Sequence, residues 1–562
     1  MLRTFVNCNP SASEYRVVSV FLMKRLLNNH HCVQEVELSY AGELFDDESQ
    51  PQVHPTAGIR QIALNEHQMN KPQLCQLVRV MLRGDPVQMK LRHVCFGATE
   101  MTALRGHDCL ALVKAIETSN TIRCLKLDSN MVGVRGAQRF AQLLRTNKTL
   151  LSVSLFKTKI NDKGAVAIGQ ALAGNSTLEF LKMGGNSIGP TGAQAIASSL
   201  ELNTSLTYLD LQRNDLDNSG AVFLARMLQS NKTLRTLDIS RSFVRSDGAV
   251  AIADSLMNNR TLLELSIDGN TFTDEAVVAL ARLVASNKTL KHFHASTSFL
   301  LESPAPFNEF VEALALNRWL EGIKLSTWRS LMSLANLRVT KTIRSVTVSD
   351  KVRNMSLMWL VRGLAFNSSI WKFRIGSYKL GVSLCRTIAT MLVENSTLSA
   401  LILNDAPVDE LGLVTLAGGL SSNQVLQKLS VVYPASSVAG FSVSQCLRRN
   451  CALLNRALQF VLKIAKDKSS AAAFQVYRRS EYFTYELSLL RTSESALSAD
   501  SLVREANKYI EENYFVITGV VKDELVCLRP HRRTALTTKL DQLNAYCLYV
   551  ITSFLKVSDV KD

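Results

Sequence analysis

Cationic and aromatic side chains are interleaved in residues 318–374, and these residue types are well suited to a binding surface. The segment holds 11 Lys+Arg residues against two acidic residues, and it contains all four tryptophans of the chain. Tryptophan and arginine are enriched in binding hot spots; in single-stranded nucleic acids, bases stack on aromatic rings and phosphates pair with cations. We therefore predict a binding region with Lys324, Trp328 and Arg374 as contacts, for RNA or another polyanion. In an alternative interpretation, the tryptophans fill gaps between irregular repeats and the charges form a solvated helix face. Trp359, which lies in an apolar helical run, is predicted to be a core residue.

Two histidines, His292 and His294, have the spacing of side chains on one strand face, which some metal sites use. The nearest further ligands, Glu264 and Asp268, do not occupy matching positions, so two exposed histidines are predicted instead of a metal site. The sequence contains no GxxxxGK[ST] phosphate loop, and no serine–histidine–acid, cysteine–histidine or kinase motif set. It therefore predicts a protein that is not an enzyme and that has no cofactor.

A 28-residue period runs through the chain. The tetrapeptide Asn-x-Thr-Leu, or a close variant, begins at Asn147, Asn175, Asn203, Asn231, Asn259 and Asn287, and the register returns at Asn367, Asn395 and Asn423. The Asn-x-Ser/Thr triplets match the glycosylation acceptor pattern. Their position between a helix and the next strand explains them equally through turn hydrogen bonds, and this structural interpretation is preferred.

Each period has the pattern of a strand, a turn and a helix. In one copy, Leu209 and Leu211 alternate with polar residues as in a half-buried strand, Asn214 marks the turn, and an apolar stripe from Ala221 to Leu228 has helical spacing. Such a unit cannot bury its apolar face alone. Stacked units are therefore predicted to form an α/β solenoid, with a concave parallel sheet and convex helices.

Fifteen strand cores are predicted. They begin near Val33, Ile59, Pro86, Ile122, Leu150, Leu178, Leu206, Leu234, Leu262, Leu290, Leu320, Ile343, Ile370, Leu398 and Leu426.

The 28-residue pattern resembles the ribonuclease-inhibitor type of leucine-rich repeat, and it is similar to the repeat regions of NOD-like receptors without their nucleotide-binding module. The resemblance implies a horseshoe-shaped recognition protein. Divergent repeats are expected in residues 1–120, regular repeats in 121–300, irregular and then regular repeats in 301–456, and a small helical domain in 457–562. Ran-GTPase-activating proteins share the repeat type, but their long acidic segment has no counterpart here.

Residues at the middle of the predicted strands point to the concave side. Among them, Lys182, Asp210, Asp238 and His294, together with the neighbouring Tyr208, are predicted contacts. This mixed and wide surface favours a protein partner over a small molecule.

The last hundred residues are predicted to form amphipathic helices near 460–466, 503–514 and 540–555. Residues 543–560 resemble the first helices of an F-box, which implies a substrate adaptor for a ubiquitin ligase as an alternative function. A helix that caps the end of the solenoid explains the same pattern.

Composition favours an intracellular protein with anionic partners. The formal charge is +16, the 11 cysteines form no CxxC pair, and no apolar run approaches the length of a membrane span. The start of the sequence lacks the pattern of a signal peptide. A cytoplasmic location, or a nuclear one, is therefore expected.

Overall fold

The computed structural model describes residues 4–7, 35–39, 61–65, 88–92, 122–296, 298–299, 303–325, 340–348, 354–375, 380–434, 436–490, 498–519 and 557. The chain divides into two compact units, Met1–Leu320 (unit 1) and Glu321–Asp562 (unit 2). Both units contain strand–helix repeats.

The strands of each unit follow one another in parallel. Those of unit 1 are β1 (Thr4–Asn7), β2 (Glu35–Ser39), β3 (Gln61–Asn65), β4 (Gln88–Arg92), β5 (Cys124–Lys126), β6 (Ser152–Ser154), β7 (Phe180–Lys182), β8 (Tyr208–Asp210), β9 (Thr236–Asp238), β10 (Glu264–Ser266), β11 (Thr271–Phe272), β12 (His292–Ala295) and β13 (Ser298–Phe299). Those of unit 2 are β14 (Gly322–Leu325), β15 (Ser345–Val348), β16 (Lys372–Ile375), β17 (Ala400–Pro407) and β18 (Lys428–Val432). In unit 1, β11 and β13 pair only with each other, whereas the other strands form one sheet in sequence order.

Every predicted strand core is confirmed by one of these strands. The sequence pattern does not predict β1, because Thr4–Asn7 lies before the first recognisable repeat; this strand pairs in parallel with β2. The short strands β11 and β13 also lie outside the repeat pattern.

Helices alternate with the strands from residue 133 onwards. In unit 1 they are α1 (Gly133–Thr146), α2 (Asn161–Leu172), α3 (Pro190–Leu200), α4 (Asp217–Ser230), α5 (Ser246–Asn258), α6 (Asp274–Ser286) and α7 (Ala305–Leu316). In unit 2 they are α8 (Asn354–Leu364), α9 (Val382–Glu394), α10 (Glu410–Ser422), α11 (Val438–Val461), α12 (Lys468–Tyr477), α13 (Glu481–Leu489) and α14 (Ala499–Ile517).

The core of the repeats lies between the strands and the helices. Leu209 and Leu211 of one repeat are fully buried against the helical stripe that begins at Ala221, and the same pattern recurs in the neighbouring repeats. Burial of one leucine side chain contributes about 1.5–3 kcal/mol. The alternating leucines thus fix which strand residues remain on the other side of the sheet.

Buried asparagines connect successive repeats. The amide nitrogen of Asn214 donates to the carbonyl oxygens of Met183 and Leu211, and its oxygen accepts from the backbone N–H groups of Asn186 and Ile188. Backbone groups between strand and helix have no strand partner, so these side chains satisfy them.

The periodic Asn-x-Ser/Thr triplets have the same structural role at the other end of each strand. In Asn231 the side-chain oxygen accepts from the N–H groups of Thr233 and Leu234, and the amide nitrogen donates to Leu200 O of the preceding repeat. Asn231 is buried. This arrangement confirms the structural interpretation of the triplets.

The C-terminal helices of unit 2 form a core of their own. Phe474, Tyr477 and Phe483 are fully buried there, together with Val425 from the last repeat. The helix α11 runs to Val461, through the boundary predicted at 457, and Lys463 follows with a left-handed φ of 61°. A separate helix over 460–466 is therefore a wrong prediction, whereas α14 confirms the helix near 503–514.

Trp359 is not a core residue. Its side chain is 41% exposed, because Leu357, Leu360 and Val361 occupy the buried stripe of α8. The guanidinium of Arg362 lies 5.3 Å from the centre of its ring.

Within the described part of the chain, no helix combines the length and the apolar character that a bilayer crossing requires.

Candidate interaction surface

The sheet of unit 1 has one face covered by helices and one face turned away from them, which we call the open face. In the three-residue strands the central residue is buried, and the two flanking residues point to the open face. The first residues of β5 to β10 and of β12 form a first column: Cys124, Ser152, Phe180, Tyr208, Thr236, Glu264 and His292. The third residues form a second column: Lys126, Ser154, Lys182, Asp210, Asp238, Ser266 and His294.

Five of the predicted contacts therefore lie together. Lys182, Asp210, Asp238 and His294 belong to the second column, and Tyr208 belongs to the first column beside Asp210. Their role as contacts remains a prediction.

Asp210 is buried beneath the open face, where Lys182 and Gln212 contact its carboxylate. Its side chain has no exposed surface; one oxygen lies 3.3 Å from Nζ of Lys182, and Gln212 donates both its backbone and its side-chain N–H groups to the carboxylate at 2.9 Å. The ammonium group of Lys182 also lies 5.3 Å from the centre of the Phe156 ring. A partner on this face would therefore meet Lys182 and the Phe156 ring instead of the Asp210 carboxylate.

An aromatic pair lies at the centre of the open face. The rings of Phe180 and Tyr208 stack with their centres 3.9 Å apart and their planes at 14°, and both residues are partly exposed. Phe180 was not among the predicted contacts. The signal that identifies it is its position in the first column, two residues before Lys182, where side chains also point to the open face.

Negative charge surrounds this pair. Burial raises the pKa of the Tyr208 phenol, and the nearby carboxylates of Asp210, Asp238 and Glu264 raise it further. Burial also raises the pKa of Asp238 to about 6; hydrogen bonds from Ser240 oppose this shift, and Asp210 and Asp268 add to it. A cationic group placed here would reduce the repulsion among these acids.

His294 belongs to a polar network. Its Nδ1 lies 3.1 Å from Oγ of Ser266 and 3.9 Å from Oε1 of Glu264. Glu264 lies directly opposite His292 in the register of β10 and β12, so the prediction that it has no matching position is wrong. Among the residues with described side chains, however, no group of three or more His, Cys, Asp or Glu residues is positioned to hold a metal ion.

Unit 2 also has an open face, with different charges. On β14 to β16, Lys324, Thr347 and Arg374 are aligned across neighbouring strands, so two of the predicted contacts lie on one row. Trp328, the third predicted contact in this segment, lies outside the described residues, as does the F-box-like segment 543–560 except for Val557. Val557 is buried in the core of the C-terminal helices.

The residues directly before β15 and β16 lie at the edge of this face, and the C-terminal helices pack along that edge. Trp371, directly before β16, contacts the rings of Tyr482 and Tyr485 of α13 edge-on, at 4.9 and 4.6 Å between ring centres. Arg344, at the same position before β15, forms ion pairs with Glu321 at 3.7 Å and with Glu481 at 3.4 Å. These aromatic and charged contacts between repeat and helix are not evident in the sequence, because no periodic spacing relates Trp371 to α13.

Comparison with known proteins agrees with the repeat architecture. A family model described as leucine rich repeat matches residues 146–169, 174–197, 202–225, 230–253 and 258–281. Among solved structures, the chain is similar to leiomodin-1 actin-binding site 2, with 19% identity and a TM-score of 0.22, over 32% of this chain and 87% of that one. No curated protein sequence gives a significant match. The matched segments and the parallel strand–helix units together establish that this chain contains leucine-rich repeats.

Proposed function

We propose that unit 1 is a non-enzymatic recognition scaffold that binds a protein partner on its open face, and that the partner presents cationic and apolar side chains. The observation that carries the proposal is the stacked Phe180–Tyr208 pair surrounded by acidic groups. Aromatic side chains offer a large contact area with few rotatable bonds, and they are enriched in binding hot spots. The resemblance of the repeats to those of NOD-like receptors also supports a recognition role.

The dimensions of the face suit a macromolecule. Seven strands, from β5 to β10 with β12, at a spacing of about 4.8 Å give a width of about 29 Å. A standard interface buries about 800 Å² on each partner, which is a patch of similar width. A small ligand would need a concave pocket with convergent polar groups.

The charges on the face select the chemistry of the partner. Asp238 and Glu264 lie on strands that follow Tyr208. The cation Lys182 is already paired with Asp210. A lysine or arginine side chain placed beside Tyr208 on the β9 side would approach the outer face of its ring and the acids, which combines cation–π attraction with charge complementarity.

The test is a selection of peptides from a randomised display library on the full chain, followed by affinity measurement of the selected sequences by fluorescence anisotropy. We expect enrichment of peptides with Lys or Arg next to apolar residues. Tyr208→Ala and Asp238→Asn should each weaken binding at least about tenfold, since loss of a central contact costs 1.4 kcal/mol or more.

The matched control is Asp254→Asn, the same chemical change at an exposed position on α5 of the same repeat. It should leave the affinity unchanged. Selection of acidic peptides, or equal affinities for the Asp238→Asn and Asp254→Asn variants, would contradict the proposal.

A further inference from the structure

The open face of unit 2 carries cations on alternate strands with small or neutral residues between them. One row across β14 to β18 reads Lys324, Thr347, Arg374, Ile402 and Ser430, and the second reads Gly322, Ser345, Lys372, Ala400 and Lys428. Neither row contains an acidic residue. Strands two apart are separated by about 10 Å, so each row presents its cations at that interval.

Two acids of the described residues near these rows are engaged at the edge of the sheet. Glu321 and Glu481 both pair with Arg344, whose guanidinium also lies 6.0 Å from the centre of the Trp371 ring. These two carboxylates compensate Arg344 and leave one negative charge at the edge, against the four cations Lys324, Lys372, Arg374 and Lys428 in the two rows. The rows that contain Lys372 and Arg374 keep their positive character.

The same edge presents aromatic groups. Tyr482 of α13 contacts Trp371. Burial raises the pKa of the Tyr482 phenol; the hydrogen bond with Glu486 raises this pKa further, and the hydrogen bond with Ser399 lowers it. Tyr485 of the same helix contacts Trp371 and keeps 43% of its surface exposed. Positive rows bordered by an exposed ring thus arise from the repeats and the C-terminal helices together.

We propose that this composite face binds the backbone of single-stranded RNA, with Lys324, Lys372, Arg374 and Lys428 against phosphates and Tyr485 against a base. A single strand has a charge at every nucleotide and unpaired bases with free stacking faces, so it matches both cations and an aromatic rim. An acidic peptide would use the cations but would gain little from the exposed ring. The small, partly exposed side chains of Ser345 and Ala400 leave room for a backbone to approach the sheet.

The experiment measures binding of a fluorescein-labelled 12-nucleotide RNA of mixed sequence to the full chain by anisotropy, between 50 and 200 mM NaCl. Binding should weaken steeply with salt, because each neutralised phosphate contributes about 0.7 to the slope of log K against log salt. In Lys324→Gln/Arg374→Gln, the affinity should fall at least tenfold and the slope should decrease by about 1.4. Tyr485→Ala should weaken binding several-fold without changing the slope, because it removes stacking and no charge.

The control is Arg386→Gln/Arg448→Gln, which removes two exposed cations from the helices α9 and α11 of the same unit. Its affinity and slope should equal those of the wild type. If Lys324→Gln/Arg374→Gln fails to fold by circular dichroism, Lys372→Gln/Lys428→Gln replaces it, since both of those lysines are exposed.

Three outcomes would overturn the proposal. The first is the absence of RNA binding at 50 mM NaCl. The second is an equal loss of affinity in the control and in the test variant. The third is tighter binding of a fluorescein-labelled poly-glutamate peptide, insensitive to Tyr485→Ala, which would assign the face to an acidic protein.

Discussion

The open faces of unit 1 and unit 2 are built from the same kind of strand–helix repeat but carry different charges. In unit 1, Asp238 and Glu264 surround the stacked pair of Phe180 and Tyr208. In unit 2, Lys324 and Arg374 share a row without acids. Open-face residues do not contribute to the buried stripe of leucines, so their charge can change without a change of fold. Along each strand, alternate residues therefore have separate roles: the buried ones stabilise the fold, and the ones on the open face determine the charge that a partner meets.

The two units also differ at the edge that precedes the strands. In unit 2, Tyr477, Glu481 and Tyr482 of the C-terminal helices cover this edge. In unit 1, residues at the same position, such as Glu179 and Arg235, are exposed. The C-terminal helices therefore cover and stabilise the edge of unit 2, whereas Glu179 and Arg235 of unit 1 have no such cover.

The largest expected effect is on the covered edge. Tyr477 is fully buried, its hydroxyl donates to Gln424 O at 2.9 Å, and burial raises its pKa to about 12. Tyr477→Ala should lower the free energy of unfolding by about 3–5 kcal/mol, because it leaves a large cavity in the C-terminal core. Urea unfolding followed by circular dichroism measures this. The control Tyr477→Phe keeps the ring and should cost only about 1 kcal/mol; equal losses for the two variants would contradict a packing role.

The next effect concerns Asn214 and the equivalent buried asparagines, which connect successive repeats in unit 1. Asn214→Ala should cost about 2–3 kcal/mol, because it leaves the buried N–H groups of Asn186 and Ile188 without their acceptor. The control Asn258→Ala, at an exposed position at the end of α5, should cost less than about 1 kcal/mol. Urea unfolding measures both variants, and similar losses of unfolding free energy would argue against a stabilising role for the hydrogen bonds of Asn214.

The third effect depends on pH and tests the acidic character of unit 1. Burial raises the pKa of Asp238 from 3.8 to about 6, so the folded state holds this proton more tightly than the unfolded state. That contribution to stability is fully present below pH 3.8 and is lost as pH rises through 6. Asp238→Asn should therefore be more stable than wild type at pH 7, by an order of 1–2 kcal/mol, and the difference should vanish near pH 4. Denaturant titrations from pH 4 to pH 8 measure it, with Asp254→Asn as the control that should show no such trend.

The smallest effect concerns the ion pairs at the edge of unit 2. Arg344→Met should lower stability by no more than about 1 kcal/mol, because Arg344 and both carboxylates are partly exposed. Hydrogen exchange in α13 should nevertheless increase, since this helix loses a contact with the repeats. An exchange rate in α13 that is unchanged in Arg344→Met, as it should be in the control Arg386→Met, would show that the Trp371 contacts and the buried Phe483 hold the helix without the ion pairs.

Much of the fold follows from the sequence, because a fixed period makes each local pattern unambiguous. All fifteen predicted strand cores are present, and the structural role of Asn231 and its equivalents follows from their place in the period. The prediction is poorer where the period fails. In unit 2 the position equivalent to Asn214 holds Lys351, Tyr378, Ala406 or Pro434. There the burial of Trp359 was predicted wrongly, and α12 and α13 were not predicted.

The candidate surface was predictable only in part. The side to which Lys182 and Tyr208 point follows from alternation along a strand. The stacking of Phe180 on Tyr208 depends on the parallel register of adjacent strands, which the 28-residue period implies but which no single repeat reveals.

By itself the sequence determined the strand–helix repeats and the residues that each strand places on its open face, because burial of alternate leucines selects one orientation. Only the tertiary structure decided that Asp210 is buried beneath Lys182 and that α13 packs against Trp371. Those contacts depend on distances between chain segments with no periodic relation. Desolvation and ring packing act over a few ångströms in space, whatever the separation along the chain.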